Sequence, residues 1–143
     1  MAFTAGQKLS AADLGAITPG SAQAVLSGDQ TVTTTAADLA GCSITITTVL
    51  SNTAVVVDGV FDMVSNGTAD IFLGTLQVDG VTQTGEAHYV GTARTTVMMT
   101  WEATLATPGS HTLKLRAGKG SNSNVMTTFQ NHTRIVVSGP GIG

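Results

Sequence analysis

The stretch PGSHTLKLRA, residues 108–117, is a Pro-Gly turn followed by strict two-residue alternation. Leu113, Leu115 and Ala117 fall on one face; Thr112, Lys114 and Arg116 fall on the other. Only an extended chain puts residues i and i+2 on the same side, so this is a strand with one buried and one wet face. The pattern recurs along the chain. Ser43–Val49 (SITITTV) sets Ile44 and Ile46 against Thr45 and Thr47. Thr53–Val64 aligns Val55, Val57, Phe61 and Met63, with Gly59 in the same face as a bulge or a close approach. Ala69–Val78 aligns Phe72, Leu76 and Val78, and Thr92–Leu105 aligns Val97, Met99, Trp101, Ala103 and Leu105. Val125–Phe129 and Thr133–Val137 add two more strands.

Asn66-Gly67 and Asp79-Gly80 are hairpin signals. Thr82–Gly91 and Gly118–Asn124 read as loops. Seven or eight short strands joined by such turns predict an all-β fold, an antiparallel β-sandwich or barrel.

Three regions are expected. Residues 1–29 form an extended N-terminal arm, in which Ser10-Ala-Ala-Asp13 resembles a capping box and predicts a short helix. The arm carries Phe3, Leu9, Leu14 and Ile17, too few to build a core, so it must dock on something; these four are the candidate anchoring residues. Residues 30–139 form the sandwich, and 140–143 a flexible tail.

Composition narrows the function. Threonine supplies 24 of 143 residues, and charged residues are 10%, well under the ~25% of an average domain. The wet faces are therefore Thr, Ser, Asn and Gln. Either neighbouring subunits cover part of this surface, or it is simply a neutral, Thr-rich one. Six basic residues and a net charge of −3 leave no stripe for a phosphate backbone, so nucleic acid is not an expected partner. No apolar run approaches the ~18 residues of a membrane span. The start of the chain has no apolar core of a signal peptide, so secretion is not expected. Cys42 is the single cysteine; no disulfide within the chain is possible and the fold must rest on packing.

Candidate chemistry is sparse. His88, His111 and His132 are not at metal-ligand spacing from one another, and no calcium loop, phosphate loop or nucleophile elbow is present, so no metal or cofactor is expected. Asp58 and Asp62 lie two residues either side of Val60 on one strand face, where a solvated face outweighs a glycosidase pair. Trp101 shares the inward phase of Val97, Met99 and Ala103 and belongs to the core.

Two regions carry a resemblance. The opening MAFTAGQKLSAADLGAI resembles the first residues of small virion proteins of tailed phages that infect actinobacteria. Ala54–Val64, the LQVDG of 76–80, residues 97–117 and the closing NHTRIVVSG of 131–139 resemble jelly-roll modules of the C1q/tumour-necrosis-factor type. Within them Gly109, His111, Thr112 and Ile135–Val137 match the strand after the turn and the short closing strand. The resemblance implies a non-enzymatic virion protein, a homotrimer held to the major capsid protein or another virion protein by its N-terminal arm. It would be assembled in the host cytoplasm and located in the virion. A trimer would account for apolar residues on both faces of the longest strands, which makes Val56, Val60 and Met98 the candidate trimer contacts. The competing reading is the tip of a tail or head fibre that binds a host-surface glycan.

Overall fold

The structure is a computed structural model that describes residues 11, 14, 18–120 and 124–142. The alternation is realised as strands β1 (Pro19–Val25), β2 (Gln30–Val32), β3 (Ala37–Thr48), β4 (Thr53–Asn66), β5 (Asp70–Val78), β6 (Val81–Thr82), β7 (Ala87–Gly91), β8 (Thr95–Leu105), β9 (Gly109–Lys119), β10 (Val125–Thr128) and β11 (Arg134–Pro140). Every ladder is antiparallel. One sheet runs β1-β11-β4-β10-β2 with β8 also on β4; the other runs β3-β9-β5-β6 with β7 also on β5. The chain is a jelly-roll β-sandwich.

The inward residues of each strand meet between the sheets. Phe61 and Trp101 from the first sheet pack with Phe72, Leu76, Leu113 and Leu115 from the second, all buried. Phe61 and Phe72 make an edge-to-face pair, centroids 5.4 Å apart, the arrangement that the ring quadrupole favours. The hairpin joining β5 to β6 turns on Asp79 (φ 50°) and Gly80 (φ 82°). Two successive left-handed residues give the two-residue turn whose twist suits a β-hairpin.

β4 is the organising strand. Over its first eleven residues one edge pairs with β8, from Thr53↔Leu105 to Met63↔Thr95. The other edge is shared: β11 takes Val56 to Val60, and β10 takes Met63 to Asn66. Between them, at Phe61 and Asp62, neither strand is in register.

Three expectations are corrected. The arm does not extend to residue 29. Pro19–Val25 is β1, paired with β11 from Pro19↔Pro140 to Val25↔Arg134, and Leu26 is fully buried. PGSAQAV has little β-branched character, but a partner strand and the packing of Ala22 and Ala24 on the core override that local preference. The tail at 140–143 does not begin free either: Pro140 belongs to β11, the Gly141 N–H donates to the Thr18 carbonyl at 2.8 Å, and Ile142 is buried. Within the expected Thr82–Gly91 loop, Ala87–Gly91 is β7 on the edge of β5. Of the predicted helix of the arm only Ala11 and Leu14 are described, both helical; Phe3, Leu9 and Ile17 fall outside the described residues. Leu14 is exposed, and its carbonyl accepts from both N–H and Oγ1 of Thr18.

Candidate functional site

The gap between β11 and β10 on the edge of β4 is filled by the turn that connects those two strands. The Phe129 N–H donates to the Asp62 carbonyl at 2.8 Å, and the Asp62 N–H donates to Thr133 Oγ1 at 3.0 Å. The turn thus substitutes for the missing ladder bonds of β4.

The Asp62 side chain lies beneath this turn with only 3% exposure. Arg94, from the loop ahead of β8, holds it with both arms of its guanidinium: Nε to Oδ1 at 3.0 Å and Nη2 to Oδ2 at 2.7 Å. His132 Nδ1 lies 3.1 Å from Oδ2. The Arg94 guanidinium also covers the Phe129 ring at 3.9 Å from its centroid. The fork of Arg94, followed by the hydrogen bond from His132, holds the Asp62 carboxyl below the usual carboxylate range against the opposing effect of burial. Above the cluster opens a cleft of about 460 Å³ lined by Asp62, Arg94, Thr95, Thr96, Asn131 and His132. Its chemistry is that of a polar receptacle: a fixed anion already held by the Arg94 guanidinium and the His132 ring, and hydroxyl, amide and imidazole groups at the rim. Among the described residues its lining holds no serine, cysteine or lysine.

Asp58 does not join this site. It lies four residues from Asp62, roughly 13 Å along a strand at ~3.3 Å per residue, and accepts from Thr100 Oγ1 at 2.6 Å. That separation exceeds the 6.5–9.5 Å that an inverting carboxylate pair needs. His88 sits apart near Glu86, and His111 pairs with Asp79 at the far turns. Cys42 is fully buried, and desolvation pushes its thiol up to about 11, which makes it inert at neutral pH.

Val56 and Met98 are 40% and 63% exposed on the outer face of the first sheet. Val60 is corrected: on the same face it is only 4% exposed. Its register neighbours are the long side chains of Arg134 and Met98, which flank it within the chain, so it is no free contact. Trp101 is buried at 3% exposure, with its indole N–H donating to the Gly85 carbonyl.

Arg94, Phe129 and Asn131 carry no sequence signal. The cluster joins residues 32 and 70 positions from Asp62, and the pairing of β4 with β8, β10 and β11 brings them together.

No family model matches the chain, and no curated protein matches it in sequence. Solved structures do resemble it. Dimeric latent PorU from Porphyromonas gingivalis superposes with a TM-score of 0.54 at 9% identity, over 87% of this chain and 13% of that one. The CBM36-1 domain of a multidomain xylanase from the hindgut metagenome of Trinervitermes trinervoides gives 0.50 at 11% identity, over 86% of this chain and 100% of that one. A chain of infectious bursal disease virus, Gx strain, gives 0.45 at 12% identity, over 88% of this chain and 38% of that one. At these identities the likeness is one of fold.

Proposed function

We propose that this protein is a non-enzymatic structural component of a phage virion: a homotrimeric decoration of the capsid, neck or tail, attached through its N-terminal segment to the major capsid protein or another virion protein. One observation carries the reading. The outer face of the six-stranded sheet presents Val25, Val56 and Met98 at 49%, 40% and 63% exposure. Val25, Arg134, Val60 and Met98 stand in one cross-strand row. The exposed apolar side chains lie beside Arg134, Asp58 and Glu102 on the same face, a mixed apolar and charged surface that a second copy can cover. The N-terminal resemblance to phage virion proteins supplies the particle.

Analytical ultracentrifugation at micromolar concentration tests it, and a trimer is expected. A monomer under those conditions, together with no three-fold density for the protein on imaged particles, overturns the reading.

The polar cleft over Asp62 favours a second reading, a fibre tip that binds a host glycan through hydroxyl contacts. Against it, sugar platforms use exposed aromatic faces. Among the described residues Phe61, Phe72 and Trp101 are buried, and Tyr89 and Phe129 are half-buried. Binding on a glycan array that Arg94→Ala abolishes would put this reading first.

A further inference from the structure

His111 lies at the opposite end of the sandwich from the Asp62 cluster in the strand order of β9, just after the turn from β8. Its side chain is 8% exposed. Both ring nitrogens are engaged: Nδ1 lies 2.6 Å from Asp79 Oδ2, and Nε2 lies 2.8 Å from the Thr107 carbonyl. Both partners are acceptors. A neutral imidazole has one N–H and one lone pair, so in this position it must set a lone pair against an oxygen. Only the imidazolium donates to both.

The two partners belong to different turns. Asp79 is the first residue of the β5–β6 turn, and its Oδ1 also accepts from the Thr112 N–H at 2.8 Å. Thr107 lies in the β8–β9 turn, and its carbonyl takes a second bond from Thr48 Oγ1 at the end of β3. The ring therefore ties one hairpin to the next, along one wall of a cleft of about 270 Å³.

We propose that His111 is a pH-operated latch, which clamps the β8–β9 turn to the β5–β6 turn when protonated and releases Thr107 when neutral. The charged group that faces the ring is Asp79. From β3 the facing groups are Ile46, in register with His111, and the Thr48 hydroxyl, neither of which titrates here. On β9 itself Lys114 and Arg116 point to the other face, where they hold Asp38. The bond from Asp79, then that from Thr107, raises the His111 value above the ordinary 6.5. A histidine raised on folding contributes stability that is complete below its unfolded value and is lost as pH rises through its folded value. The latch is thus closed in acid and opens toward alkaline pH.

The test is a proton NMR titration of the His111 ring in the wild-type protein, combined with hydrogen exchange. The expected midpoint is above 6.5. Exchange of the backbone amides of the β8–β9 turn should accelerate through that midpoint more than exchange of the Phe129–Thr133 turn, which shares the solvent but not the latch. Asp79→Asn retains a side-chain oxygen for the Thr112 N–H and removes the charge; the midpoint should fall and the excess exchange should shift with it. A wild-type midpoint at or below the ordinary value, or equal pH responses of the two turns, overturns the proposal.

Discussion

The ring of Phe61 stands directly on Gly74: a Cβ on that glycine would lie 2.6 Å from Phe61 Cζ. The two residues face each other from opposite sheets, so the bare backbone of β5 sets how closely the sheets approach at this fully buried ring. Gly74→Ala should force the ring aside and cost about 1–3 kcal/mol, the usual penalty of overpacking. Urea denaturation measures it. Gly28→Ala, where an added Cβ meets nothing within 4 Å, is the control and should stay within about 0.5 kcal/mol.

Trp101→Ala should lower stability by about 3–5 kcal/mol, the range for deleting a buried aromatic. Thermal unfolding followed by circular dichroism reads the loss. A variant as stable as wild type would show that Trp101 does not carry the core.

The acid limb of stability should depend on Asp62. Its carboxyl is depressed on folding, so it contributes stability that is present above its unfolded value and disappears as pH falls through the lower, folded value. Asp79 and Asp38 act in the same direction, held down first by His111 and Lys114 respectively. Melting temperatures measured from neutral pH into acid should fall less steeply for Asp62→Asn than for wild type. Arg94→Ala, which strips the carboxylate of its fork, should lower the melting temperature at neutral pH.

Self-association should respond to the outer face alone. Val56→Lys with Met98→Lys places two charges on exposed positions. It should yield a monomer by sedimentation while leaving the melting behaviour of the protomer nearly unchanged, since surface substitutions usually act within about 0.5 kcal/mol. A trimer that survives both changes uses another surface.

Strands with a strict two-residue period were legible from the chain. Leu113, Leu115 and Ala117 are buried as the alternation of β9 requires. β1 and β7 were not legible, because PGSAQAV and AHYVG owe their extended form to neighbours rather than to β-branched side chains. The doubled coverage of β4 explains why Val60 misleads: its phase is outward, but two long neighbours cover it. The Asp62 clamp was hidden for a different reason. Sequence spacing reports which residues share a face of one strand, and this site is made by a turn docking on a strand from which it is distant in the chain.

The place of β11 in the first sheet has a consequence for biogenesis. Among the described residues β1 is hydrogen-bonded in a ladder to β11 alone, and β11 lies between β1 and β4. Chain emerges from the ribosome in sequence order, so β1 has no ladder partner until residues 134–140 are made. The edge of β1, and the stretch of β4 that β11 covers, must wait until residues 134–140 have been made. Long-range pairing of this kind folds slowly and leaves edges open to intermolecular pairing. Ribosome-stalled chains ending before Arg134 should therefore remain protease-sensitive and chaperone-bound, and the native sheet should appear only once β11 has cleared the exit tunnel.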